Sequence, residues 1–125
     1  RLDPKQSIEG GARYLDQLRR RLPERISEPD RTWFTLAAYN MGLGHLEDAR
    51  VLTQRQGGDP DHWADVEARL PLLQQPQYYR TLKFGYGRGV QARTYVANIR
   101  EDYQFLIWRS ELRASQTPRL EEPAQ

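Results

Sequence analysis

The 125-residue chain contains no cysteine. That removes disulfides, thiolate nucleophiles and cysteine-ligated metal sites together, and leaves the compartment open. A charge excess is also missing: 19 Lys and Arg face 17 Asp and Glu, for a net charge of +2. Proteins that grip nucleic-acid phosphates usually carry a clustered basic excess, so no nucleic-acid partner is expected. No apolar run approaches the roughly 18 residues of a membrane span. Membrane association is therefore expected only through segments outside this chain. No signal-peptide pattern opens the sequence, which begins at Arg1. It reads as a fragment, with any targeting segment upstream. Only two histidines are present, His45 and His62, and neither has a carboxylate at a metal-motif spacing. Both read as surface residues. "GDPDHWAD" holds three acids without the spacing and central Gly of a calcium loop. No metal and no cofactor are expected.

What remains is one domain's worth of chain with a helical pattern. A chain of this size buries roughly two-thirds of its unfolded surface, enough for one core. No stretch alternates with period two, so the chain reads as all-α. Asp3-Pro4 is a helix start: Asp caps free N–H groups, and Pro at the first helical position gives up a donor that has no partner anyway. Ile8, Ala12, Leu15, Leu18 and Leu22 then form an apolar stripe ending near Pro23. Gly10-Gly11 interrupts it, which fits either close approach of another backbone or simple tolerance. Pro29-Asp30 opens a second helix with Trp33, Phe34, Ala37 and Ala38 as its buried face. A third, from about Gly44, offers Leu46, Ala49, Val51 and Leu52. Asp61 is a plausible cap for a short helix carrying Trp63, Val66 and Leu70. Pro71 and Pro76 bound an irregular piece, and "YYRTLKFGYGRG" reads as a loop or broken helix. From about Arg88 a long helix carries Ala92, Tyr95, Ile99, Tyr103, Leu106 and Leu112 at helical spacing, flanked by Val96 and Trp108. The chain divides into a domain over 1–113 and a tail over 114–125, whose two prolines and lack of apolar periodicity predict disorder.

Two stretches raise the question of chemistry. In "TLAAYNMGLGHLEDA" a helix ends on Tyr39-Asn40 and another starts two glycines later. Either Asn40 simply stops the helix with Tyr39 in the core, or the corner holds both side chains in a cleft. Asn offers donors and an acceptor, and Tyr a hydroxyl and a ring face, a set suited to an amide-bearing sugar or a peptide. "GYGRG" from Gly85 to Gly89 resembles a phosphate cradle only loosely, lacking the Lys-Ser/Thr of a P-loop. With Phe84, Tyr86 and Arg88 it also suggests RNA contact. The plainer reading is a flexible turn before the long helix. No Glu stands in an apolar context that would raise its pKa; Glu9, the nearest candidate, reads as solvent-facing.

Taken in order, "LDPKQSIEGGARYLDQL", "TWFTLAAYNMGLGHLEDARVL" and "ARTYVANI" resemble the C-terminal part of the family 1 lytic transglycosylase catalytic domain. The resemblance covers about residues 1 to 108. It implies a lysozyme-like fold and a periplasmic enzyme associated with the outer membrane. Such enzymes cleave the MurNAc–GlcNAc β-1,4 bond of peptidoglycan without water. One Glu acts as acid and then base, and the C6 hydroxyl of MurNAc attacks its own anomeric carbon, leaving a 1,6-anhydro end. By resemblance, Tyr39 and Asn40 line the sugar groove, Gly42 permits the turn, and Tyr95 matches a tyrosine near the catalytic Glu. The family's Glu-Ser and "GLMQ"-like motifs are not in this chain. No catalytic residue is therefore expected among these 125 residues. The Glu is expected upstream of Arg1, and this chain alone is expected to be inactive. The expected partners are peptidoglycan glycan strands and the N-terminal remainder of the catalytic domain. Two other readings compete: a non-catalytic peptidoglycan-binding piece, and a helical-repeat interaction module, since "AYNMGLGHLEDA" also resembles part of a tetratricopeptide repeat. Arrays of that kind need several units to bury their faces.

Overall fold

Proline and glycine set the first three helix boundaries. The structure, a computed structural model, describes residues 4–116, except the side chains of 4–12, 105–109, 111–113, 115 and 116. Helix α1 spans Pro4–Arg21, α2 Asp30–Met41 and α3 Leu43–Arg55. A short α4, Trp63–Glu67, leads into a 3-10 helix, Leu70–Gln74, and a single turn, α5, Pro76–Tyr79. The long α6 runs Gly89–Gln116. The fold is all-α, with no strand among the described residues.

The centre is α2. Trp33, Phe34, Thr35, Ala37 and Ala38 are all buried, so this helix is covered on nearly every side. It packs against α1, α3, α4 and α6. Ala37 and Ala38 have no exposed surface, and their small side chains let neighbouring helices come close. Leu18 and Leu22 of the α1 stripe are buried against this centre, with Leu46, Ala49 and Leu52 from α3, Val66, and Ala92 and Val96 from α6. Phe34 and Trp63 meet edge to face at 5.4 Å, the arrangement aromatic quadrupoles favour.

Polar side chains close the helix ends over long distances. The Arg31 guanidinium donates to the carbonyls of Arg19, Leu22, Pro23 and Ile26, gathering acceptors at and just past the end of α1. The Trp63 N–H, at the start of α4, donates to Asp30 Oδ2 at 2.8 Å. Asp61, the cap expected from sequence, does something else. It pairs with Arg25 and Arg50, because the turn before α4 carries its carboxylate toward α3.

Three other expectations change. Val51 is 43% exposed, and α3 buries Asp48, Arg50 and Thr53 alongside its leucines. Tyr103 is exposed at 54%, its ring edge against Trp33. Helix α6 continues to Gln116, three residues into the segment expected as tail; residues 117–125 lie outside the described residues. So do the surroundings of Gly10, Gly11 and Glu9, and the side chains of Leu106, Trp108 and Leu112. A single α2–α3 corner gives way to short irregular helices rather than to a second matching pair, which speaks against a repeat array among the described residues. No described helix is long and apolar enough to cross a membrane.

Candidate functional site

The α2–α3 corner is made by one residue. Gly42 has φ +100°, a conformation that costs an L side chain dearly. Its N–H donates to the Ala38 carbonyl at 2.8 Å, and its own carbonyl accepts the Leu46 N–H at 3.2 Å. One glycine therefore ends α2 and starts α3. Space is not the constraint, since an added Cβ would meet only His45 Cδ2, at an ordinary 3.9 Å.

This tight corner leaves Asn40 exposed at the rim of a cleft of about 490 Å³. Met41 and His45 line the cleft from the corner side, and Tyr86, Gly87, Arg88 and Gln91 from the opposite side. That opposite wall is "GYGRG" and the first turn of α6. It is a tied turn rather than a loose one. The Phe84 N–H donates to the buried Asp48 carboxylate at 2.8 Å. The Gly87 N–H donates to the Leu73 carbonyl at 3.1 Å. Gln74 works twice, accepting the Val90 N–H at 2.9 Å and donating to the Tyr86 hydroxyl at 3.3 Å. At Gly89 the α6 backbone lies so close to the 3-10 helix that an added Cβ would sit 1.7 Å from the Leu70 carbonyl oxygen. Nothing here forms a strand–loop–helix phosphate cradle.

The four residues singled out from sequence are partly brought together. Asn40 lines the cleft and Gly42 makes its corner. Tyr39 is 42% exposed and lies outside the cleft lining, its ring 5.8 Å from that of Tyr14. Tyr95 is half-buried against the core and lies one helical turn beyond Gln91, on the same face of α6. Sequence reasoning missed Gln91, Tyr14 and the position of His45. His45 is not a plain surface residue: its ring is half-buried, edge-on to Phe84, and Nδ1 is buried with no hydrogen-bond partner. The available signal was its place in the first turn after Gly42. His62 is exposed and pairs with Asp65.

No acid among the described residues lines this cleft. The buried Asp48 and half-buried Asp30 are engaged elsewhere, with Phe84 and Trp63, and the exposed Glu28 pairs with Arg19 and Thr32. For Asp61, desolvation works against the carboxylate, but the hydrogen bonds and charges of Arg25 and Arg50 outweigh it and hold its pKa below the usual value. A second cleft, of about 380 Å³ between α2 and α6, is lined by Glu28, Pro29, Thr32, Trp33, Leu36, Ile99 and Tyr103. Two of its polar groups are already engaged, since Thr32 donates to the Glu28 carboxylate.

Comparison with known proteins agrees with the resemblance carried by the motifs. The family described as Transglycosylase SLT domain matches residues 1–61. The chain is 60% identical over 111 residues to membrane-bound lytic murein transglycosylase F of Alteromonas mediterranea, covering 89% of this chain and 24% of that protein. It is 60% identical over 108 residues to the protein of the same name from Saccharophagus degradans, covering 86% of this chain and 22% of that protein. The protein of that name from Vibrio campbellii is 50% identical over all 125 residues, 23% of its length. The chain thus spans about a quarter of the length of the relatives it matches. The Transglycosylase SLT domain thus matches the first 61 residues, and the likeness to proteins named membrane-bound lytic murein transglycosylase F extends over most of the chain.

Proposed function

We propose that these residues form one wall of the glycan groove in a peptidoglycan lytic transglycosylase. The observation that carries the reading is the cleft that sets Asn40 opposite Gln91, with Tyr95 one turn further along α6. Amide side chains held by rigid helix ends suit the hydroxyl and N-acetyl groups of an amino-sugar strand. Tyr39 with Tyr14, and Tyr95, extend the groove on either side of the corner.

The reaction is non-hydrolytic cleavage of the MurNAc–GlcNAc β-1,4 bond, leaving 1,6-anhydroMurNAc ends. One carboxyl suffices because the nucleophile is the substrate's own C6 hydroxyl, already held near the anomeric carbon. That carboxyl comes from outside these 125 residues. The N-terminal remainder of the catalytic domain is the partner that brings it. The enzyme works in the periplasm at the outer membrane, in keeping with relatives named membrane-bound; the anchor lies outside this chain.

The test is Asn40→Ala in the full-length protein, with digested peptidoglycan products identified by mass spectrometry. The wild type should release 1,6-anhydro ends. The variant should lose at least about tenfold in turnover, worth about 1.4 kcal/mol of barrier, with little change in melting temperature. Reducing ends in place of anhydro ends from the wild type would sink the transglycosylase reading. Equal loss of turnover and stability would make Asn40 structural.

A further inference from the structure

The cleft beside Asn40 carries one charged side chain that nothing within the described protein uses. Arg88 is exposed at the cleft wall. Other arginines are committed: Arg19 to Glu28, Arg25 and Arg50 to Asp61, and Arg31 to backbone carbonyls. Arg88 forms no ion pair with an acid among the described residues. Its neighbours in the cleft are neutral or amphoteric: Asn40, His45, Tyr86 and Gln91. Tyr86 is fixed in place by Gln74 and by the edge of Tyr79 at 5.6 Å. At the start of α6, the Val90 N–H is already taken by Gln74. The guanidinium is the one Lys, Arg, Asp or Glu group among the described residues of the cleft lining.

A guanidinium beside two amides fits a planar anion flanked by hydroxyl and amide groups. Peptidoglycan offers such anions and plain chitin-type strands do not. Its MurNAc units carry a lactyl carboxyl, free in peptide-free strands and amide-linked where a stem peptide is attached, and the stem has carboxylates of its own. We propose that Arg88 binds a carboxylate of the strand in this cleft, while Asn40 and Gln91 hold neighbouring amide or hydroxyl groups. Arg88 thereby selects acidic over neutral amino-sugar strands. The inference rests on the glycan-groove reading and adds a specificity-determining residue to it.

The test measures binding of three soluble strand preparations to the full-length protein as wild type, Arg88→Ala and Arg88→Lys. The first strands are peptide-free, with free lactyl carboxylates. The second are the same strands with those carboxylates converted to neutral amides. The third carry stem peptides. Arg88→Ala should weaken binding of the first or the third by roughly five- to tenfold, the range for a partly exposed charge-assisted pair. It should leave the amidated strands within about twofold, and Arg88→Lys should restore part of the loss. Loss on the first strands alone identifies the lactyl carboxylate, and loss on the third alone a stem carboxylate. No loss on any strand, or equal loss on all three, overturns the proposal while leaving the groove reading intact. Failure of the wild type to bind any strand overturns both.

Discussion

Asp48 and Phe84 stand 36 residues apart, and the carboxylate of one accepts the backbone N–H of the other at 2.8 Å. Asp48 is only 4% exposed, so this bond pins the cleft's far wall to α3 from inside. Removing the acceptor leaves a donor without its partner, at about 1–3 kcal/mol. Asp48→Ala should lower the melting temperature by several degrees and speed amide exchange at Phe84. Asp48→Asn keeps an acceptor oxygen and should be milder on both. Unchanged exchange in the Ala variant would mean the wall is held by its other ties alone.

Gly89→Ala should be among the most damaging small substitutions in the chain. The added Cβ would sit 1.7 Å from the Leu70 carbonyl oxygen and 2.5 Å from its carbon, so backbone must move. A loss above about 3 kcal/mol, or failure to fold, is expected. A soluble variant with native-like melting would show that α6 can slide away from the 3-10 helix at little cost.

Tyr95→Phe separates packing from chemistry. The ring is half-buried against the core, and Phe keeps that contact. If the hydroxyl serves the groove, turnover of peptidoglycan by the full-length protein should fall several-fold with the melting temperature unmoved. Loss of stability without loss of turnover would assign Tyr95 to the core.

Asp61 gives the fold an acid-sensitive joint. Its pKa lies below the usual value because Arg25 and Arg50 outweigh its desolvation. A depressed folded pKa contributes stability that is fully present above the unfolded value, about 3.9, and is lost as pH falls through the folded one. Asp61→Asn should therefore be less stable than wild type at neutral pH, and the gap should close as pH drops below about 4. A gap that stays constant down to the acid transition would show that ionisation of Asp61 is not its source.

The sequence revealed what local chemistry determines. Pro4, Pro29-Asp30 and Gly42 punctuate three helices, and the 3–4 spacing marks buried residues on each, so α1, α2 and α3 were legible with Asn40 at the corner of the last two. What it hid depends on contacts across the chain. The cap of α4 comes from Asp30, 33 residues away, and nothing near Trp63 announces it. Arg88 and Gln91 face Asn40 only because Asp48, Leu73, Leu70 and Gln74 fix the loop and the start of α6. Val51 misled because spacing cannot say which apolar residue of α3 turns outward, and the burial of Asp48 and Arg50 was not legible because it depends on Phe84, Pro60 and Asp61.

The ties that hold the Phe84–Val90 segment have a thermodynamic consequence for whatever enters the cleft. A loop free to roam must surrender conformational entropy each time it closes on a ligand. Here Asp48, Leu73 and Gln74 impose that loss once, during folding. A weakly held strand can then be gripped and released repeatedly, with contact energy going into selecting the strand rather than into ordering the wall.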